Sequence, residues 1–319
     1  MPITHTTFDG YPVVILENEQ LTAHLLPAFG NNLIKLWDKH NNRDVLRTPD
    51  KAEELQSGPG QFGTPLMMPP NRLRYGAFTY NGQAYQFDTA PNGKHHSHGF
   101  LRTLPWQVTG TKEEHGTLTV TSELSFSDFP DVLRQYPHPL HFIVTYELKG
   151  NSLVQHTTVE NRGSSPAPFG YGLHTWFLLD GKPEEWSLRM PCESLWELDE
   201  EKFPTGTLLP LGNWEAFNHE QGLQLQNVNL DDPFQIGSQP VVAELQRGSY
   251  RIRYSCSEQF KQWVIFTKGK ANQFICLEPY TWVTDSPNLQ RLPSDVTGFQ
   301  AIAPGDEQKL TVTLELENL

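Results

Sequence analysis

Apolar and polar residues alternate in two-residue steps along much of this chain, the period of strands with one buried face. Over LTVTLELENL, 310–319, Leu310, Val312, Leu314 and Leu316 share a face, with Thr311, Thr313, Glu315 and Glu317 opposite. LTVTSELSF, 118–126, repeats the pattern through Leu118, Val120, Leu124 and Phe126. HFIVTYEL (141–148) and SLVQHTTVEN (152–161) predict two strands joined across Gly150–Asn151. Tyr80-Asn81-Gly82-Gln83 holds the Asn-Gly pair of a tight hairpin, whose two central residues both need positive φ. Arg247-Gly248, Lys268-Gly269 and Pro304-Gly305-Asp306 mark further turns.

Helical stripes are nearly absent. Asp50–Leu55 and Glu258–Phe260 each predict about one turn of helix, and no segment repeats apolar positions at helical spacing for three turns. The 25 prolines and 24 glycines are scattered instead of gathered in a linker. No repeat or low-complexity tract marks a boundary. The expectation is one domain over residues 1–319, all-β, a large antiparallel β-sandwich.

Composition narrows the class without changing the fold. A net charge of −13 over 319 residues offers no basic face to a nucleic-acid backbone or an anionic membrane. No apolar run approaches the roughly 20 residues of a bilayer span. MPITHTTFDGYP at the start lacks the basic and apolar segments of a secretion signal. Cys192, Cys256 and Cys276 lie far apart and fit no disulfide framework. A cytoplasmic protein acting on a small molecule, as monomer or homodimer, is expected.

Five stretches carry candidate chemistry. In QFICLEPYTW, 273–282, alternation puts Phe274, Cys276 and Glu278 on one face, and Pro279, lacking an N–H, is expected to end the pairing. A carboxyl continuing an apolar face loses solvation and its pKa rises toward that of a general base. The competing reading is a strand-end glutamate half in solvent. In FGYGLHTWF, 169–177, Gly170, Gly172, His174 and Trp176 share a face. Two positions without side chains predict a recess beside the imidazole, although an inert core histidine reads equally well.

PPNRLRYGAF, 69–78, presents Arg72 and Arg74, whose guanidinium forks hold sugar hydroxyls, carboxylates or phosphates, or simply stay solvated. LDDPF, 230–234, offers Asp231 and Asp232 as ligand groups or as an Asp-Pro turn. NGKHHSHGFLRTLPW, 92–106, crowds His95, His96 and His98 together. A strand there aligns His96 with His98 and opposes His95. Two ligands on a face are too few for zinc, and no His-Glu-x-x-His or cysteine pair completes the set. The cluster therefore reads as hydrogen-bonding residues of a polar pocket and not as a metal site.

Taken in order, NRLRYGAFTYNGQAYQF, HSHGFLRTLPW, GLHTWF, LDDPF and CLEPYTWVTDSPN resemble the aldose 1-epimerase (galactose mutarotase-like) family. The resemblance runs from the first strands to Asn288. It implies a β-supersandwich with a sugar on a concave face, and neither cofactor nor metal. It implies an isomerase that interconverts the α and β anomers of a hexose by acid–base ring opening and reclosure. Glu278 is the implied catalytic base on the C1 hydroxyl and His174 the acid on the ring oxygen. Arg72, His98 and Asp231 are the implied substrate-binding residues. Thr175 and Trp176 stand where the family often has Pro and Tyr, Asp232 where it often has His, and His95 where Asn is common. The choice between Asp231 and Asp232, and the identity of the sugar, stay open.

Trp176 and Tyr280, with Trp37 and Trp106, are candidates for an aromatic wall against the sugar ring. Two other readings fit the same residues. One is an epimerase of an anionic hexose, a 6-phosphate or a sulfonated sugar, met by Arg74, Lys94 or Arg102. The other is a carbohydrate-binding or sensor module without catalysis.

Overall fold

The computed structural model describes residues 2–90, 93–237, 241–267 and 273–319. A nine-stranded sheet runs in the order Gln107–Glu114, Thr117–Ser125, Leu140–Lys149, Ser152–Asn161, Glu307–Asn318, Tyr250–Cys256, Val241–Arg247, Ser187–Arg189, Leu223–Gln224. Its neighbours pair antiparallel. Burial alternates residue by residue along Thr117–Ser125 and the latter part of Glu307–Asn318, with the expected leucines and valines inside. A slip of one residue would carry Thr311, Thr313 and Glu315 inward, so the buried set holds the register.

The turns follow their residues. Asn81 and Gly82 take φ of 48° and 78°, closing the hairpin between Ala77–Tyr80 and Gln83–Gln86. Gly150 and Gly248 also adopt positive φ at their hairpins. The Asp306 amide donates to the Ala303 carbonyl at 3.1 Å. Lys268-Gly269 lies outside the described residues.

An eight-stranded sheet runs Pro204–Leu209, Cys192–Leu198, Asp231–Ile236, Gln262–Phe266, Phe274–Tyr280, Gly172–Leu173, Leu66–Met67, with Thr175–Leu178 also paired to Phe274–Tyr280. One of its faces meets the nine-stranded sheet. Tyr254 of that sheet packs against Phe177 and Trp263 at ring separations of 5.2 and 5.6 Å, and its hydroxyl shares a 2.8 Å hydrogen bond with Thr175. Residues of the other parity therefore point away from this core. Across that second face Asp231, Phe266, Cys276 and Trp176 stand in one row, and Val264 and Glu278 in the next. A five-stranded meander, Ile3–Phe8 through Arg43–Asp44, joins at a bridge between Leu46 and Phe177.

Several local expectations give way to tertiary structure. The first helix covers Ala52–Ser57, because Glu54 caps the amides of Asp50 and Lys51 and holds both outside it. Glu258–Phe260 forms a single hydrogen-bonded turn linking the two large sheets, too short to wind further. The six-residue helix Pro130–Gln135 has no periodic stripe long enough to announce it. Asp231–Ile236 is a strand with Pro233 inside it, not an Asp-Pro turn. Pairing also continues past Pro279, which registers with Trp263. On its other flank the ladder registers Gly172 with Tyr280 and Thr175 with Leu277 and lapses between them, so a residue with no N–H is accommodated. Among the described residues no helix is long and apolar enough to cross a membrane.

Candidate functional site

The strand registers place His174 directly across from Glu278. Their side chains meet, with Nε2 of His174 3.3 Å from Oε1 of Glu278. Glu278 is 1% exposed and His174 7%. Burial pushes the Glu278 carboxyl up to about 8; the Tyr280 hydroxyl, donating to Oε2, pulls the other way, Asp231 adds to the rise and Arg72 opposes it. Burial likewise drives the His174 imidazole down to about 3, with the Arg102 and Arg72 guanidiniums contributing. Both charges are disfavoured for the same reason, loss of water. Burial thus favours a protonated carboxyl facing a neutral imidazole. The charged tautomer is one proton transfer away.

Trp176 stacks on the His174 ring at 5.0 Å and 7°, and its indole N–H donates to the Gly60 carbonyl at 2.8 Å. This parallel contact holds the imidazole plane from behind. Phe266 stands edge-on to both rings, 6.1 Å from His174 and 6.0 Å from Trp176, and is partly exposed. It is the aromatic side chain best placed to line the site, and the sequence did not single it out. Alternation does set Val264 and Phe266 on one face, but nothing in the chain says which face the site occupies. Cys276, between Trp176 and Phe266, is fully buried, and its thiol is held well above its ordinary pKa by burial and by Glu278.

Arg72 reaches Asp231 at 3.3 Å, each side chain 30% exposed. Asp232 faces Lys202 instead, at 3.8 Å. Strand parity thus puts Asp231, and not Asp232, on the Glu278 face. His98 brings its ring to 5.3 Å from His174, with Nδ1 3.1 Å from the Met67 sulfur. Burial lowers its pKa well below the ordinary value, with His174 adding to the effect. Glu278, His174, Arg72, Asp231 and His98 therefore gather in one neighbourhood.

The histidine cluster itself disperses. Its strand covers only His96–Ser97, and His98 turns off at φ 61°. His96 packs against Phe87 and Phe100, with Nδ1 2.7 Å from the Asp88 carbonyl oxygen, so His96 and His98 do not share a face. His95 accepts the Tyr75 amide at 3.0 Å and packs on the edge of Phe203.

The glycine recess is occupied. A Cβ on Gly170 would come within 2.0 Å of the Trp282 ring, and one on Gly172 within 2.3 Å of the Tyr280 ring. The missing side chains admit these two rings, not a ligand. Gly172→Ala is accordingly expected to destabilise the protein by about 1–3 kcal/mol, the usual cost of overpacking, read from the urea midpoint. An unshifted midpoint would show that Tyr280 moves freely. Tyr280 itself is fully buried, and its hydroxyl donates to Glu278. Trp106 packs on Phe142 of the nine-stranded sheet, and Trp37 lies in the five-stranded meander beneath Lys35.

The fold is similar to that of a galactose mutarotase-like protein from Clostridium acetobutylicum, with a TM-score of 0.93 at 23% identity over 99% of this chain and 98% of that one. Galactose 1-epimerase from Lactobacillus acidophilus NCFM superposes with a TM-score of 0.78 at 19% identity, over 98% and 97% of the two chains. In sequence the chain is similar to the uncharacterized protein YihR of Escherichia coli (strain K12), 26% identical over 243 residues, 73% of each. The family model for aldose 1-epimerase matches residues 12–314, and the chain belongs to the aldose 1-epimerase family.

Proposed function

We propose that the protein is a mutarotase for an uncharged hexose, with Glu278 and His174 as its acid–base pair. The observation that carries this reading is the buried 3.3 Å contact between Glu278 Oε1 and His174 Nε2. Ring opening removes a proton from O1 and delivers one to O5. A pair that shares one proton does both without net exchange with water.

A bound sugar parts the two groups, replacing their mutual contact with contacts to O1 and O5. In the charged tautomer the Glu278 carboxylate takes the O1 proton as the His174 imidazolium gives its proton to O5. The C1–O5 bond breaks with its electron pair going to O5, and the C1=O1 carbonyl forms. The pair is left neutral, the state that burial favours. Rotation about C1–C2 then offers the other carbonyl face. O5 attacks C1, the imidazole takes the O5 proton, and the carboxyl returns a proton to O1. Each group acts once as acid and once as base.

Arg72, Asp231 and His98 would hydrogen-bond the sugar hydroxyls, with Phe266 against an apolar patch of the ring. An uncharged sugar suits the pairing of the nearby cations. Arg74 is held by Asp199 and Glu201, and Lys94 by Glu201. Arg102 donates to the carbonyls of Pro59 and Ser97 at 2.6 and 3.1 Å. Arg72 is matched by Asp231. No carboxylate–imidazole pair is required merely to bind, which favours an enzyme over a sensor.

Polarimetry or NMR of freshly dissolved α-glucose, α-galactose and other aldoses tests this. Accelerated equilibration, insensitive to phosphate and sulfate, is expected. Unchanged rates across the panel with folded protein overturn it, and sugar binding without acceleration returns the sensor reading. Inhibition by phosphate or sulfate returns the anionic reading.

Tyr280→Phe separates positioning from contact. Removing the hydroxyl frees the Glu278 carboxyl from a hydrogen bond worth about 1.5 kcal/mol, so kcat is expected to fall roughly tenfold with KM nearly unchanged. A rise in KM with kcat preserved would make Tyr280 a sugar contact instead.

A further inference from the structure

Among the described residues, one set of three ligand-type side chains brings its donor atoms within 4.8 Å of one another: a nitrogen of His174, the sulfur of Cys276 and an oxygen of Glu278. Two of these form the proposed acid–base pair. The third has no part in opening a sugar ring. Cys276 lies two residues before Glu278 on the same strand face, registered with Trp176 on one side and Phe266 on the other. Its thiol is free of any disulfide.

We propose that His174 Nε2, Cys276 Sγ and Glu278 Oε1 bind a thiophilic divalent cation, with Zn²⁺ as the reference ion, and that the bound ion excludes the sugar. The binding claim is independent of the catalytic reading; only the loss of activity rests on it. Zinc bonds of roughly 2.0–2.3 Å in a tetrahedron set donor separations of about 3.3–3.7 Å. The nitrogen–oxygen separation is already 3.3 Å, and the three side chains bring donor atoms within 4.8 Å of one another. Trp176 fixes the imidazole plane, and Tyr280 engages Oε2, which leaves Oε1 for the ion.

The donor set also selects the class of ion. Nitrogen and sulfur suit zinc and its neighbours, whereas magnesium and calcium require shells of oxygen. Binding releases the thiol and carboxyl protons to solvent, and the two resulting negative charges balance the ion. Three protein ligands leave a fourth position for water, as in zinc sites that stay open. With Nε2 and Oε1 both coordinated, neither can carry a proton to or from a sugar. Of the run His95–His98, His98 alone comes near, its ring 5.3 Å from His174, while His95 and His96 pack elsewhere.

Titration of chelator-treated protein with Co²⁺ or Zn²⁺ alone tests the proposal. Wild-type protein is expected to give a thiolate-to-cobalt charge-transfer absorption that Zn²⁺ displaces. Cys192→Ala and Cys256→Ala should keep that band, and Cys276→Ala should lose it. Zn²⁺ should slow anomer exchange, and added sugar should relieve the inhibition. Cys276→Ala should exchange anomers within about twofold of wild type, yet need at least roughly tenfold more Zn²⁺ for half-inhibition. Absence of the cobalt band in wild-type protein, a measurement that needs no variant, overturns the proposal. Equal Zn²⁺ sensitivity of wild type and Cys276→Ala overturns it as well. The spectrum reads metal binding without turnover, so its failure is distinct from failure of the mutarotase reading.

Discussion

Glu278→Gln is expected to lower kcat for anomer exchange by about 10²–10⁴-fold, with sugar affinity changed by only a few-fold. The substitution preserves the shape and volume of the side chain in a site where it is 1% exposed. It also leaves an oxygen to accept the Tyr280 hydroxyl, the contact that holds the carboxyl. What it removes is the ability to take and return the O1 proton. A loss confined to kcat is the signature of an interaction made in the transition state. Full activity in this variant would remove Glu278 as the base. A loss expressed only in KM would make it a binding group.

His174→Asn should cost a similar factor, about 10²–10⁴-fold in kcat, for the complementary reason that O5 loses its proton donor. The more discriminating result comes from combining the two. One proton circulates through both groups, so the double variant should be about as slow as the slower single variant. Groups that act as a unit are not lost twice. Progress curves followed by polarimetry give all three rates under one set of conditions. Multiplicative losses would mean that each group works independently, and the shared-proton account would fail.

The fold was legible where one rule dominates. Two-residue alternation exposed the strands at 118–126 and 310–319, because the opposite face would bury threonine and glutamate. The Asn-Gly pair at 81–82 announced its hairpin through the same positive φ that the structure shows. The eight-stranded sheet was less transparent, since pairings such as Leu173 with Leu66 join residues far apart in the chain.

The candidate site was half legible for a related reason. Alternation placed Cys276 with Glu278, and Gly172 with His174 and Trp176, but it does not say which side of a sheet faces solvent and which the core. Asp231 and Asp232 stayed indistinguishable for that reason, and Phe266 went unnoticed. His98 reaches His174 through one residue at φ 61°, a local departure from the strand that no period encodes. The glycines at 170 and 172 promised space, and the tertiary fold filled it with Trp282 and Tyr280. Cys276 was already aligned with Glu278 by alternation, and the cross-strand register added the imidazole.

The central claim is that a carboxyl and an imidazole bracket the C1–O5 bond of one sugar, and a crystal structure of Glu278→Gln with a bound hexose tests it most directly. The account predicts O1 at about 3 Å from the side chain at 278 and O5 at about 3 Å from His174 Nε2, with the two protein groups drawn apart by the ring between them. A sugar seated with C1 and O5 turned away from both groups, whatever its affinity, would contradict it.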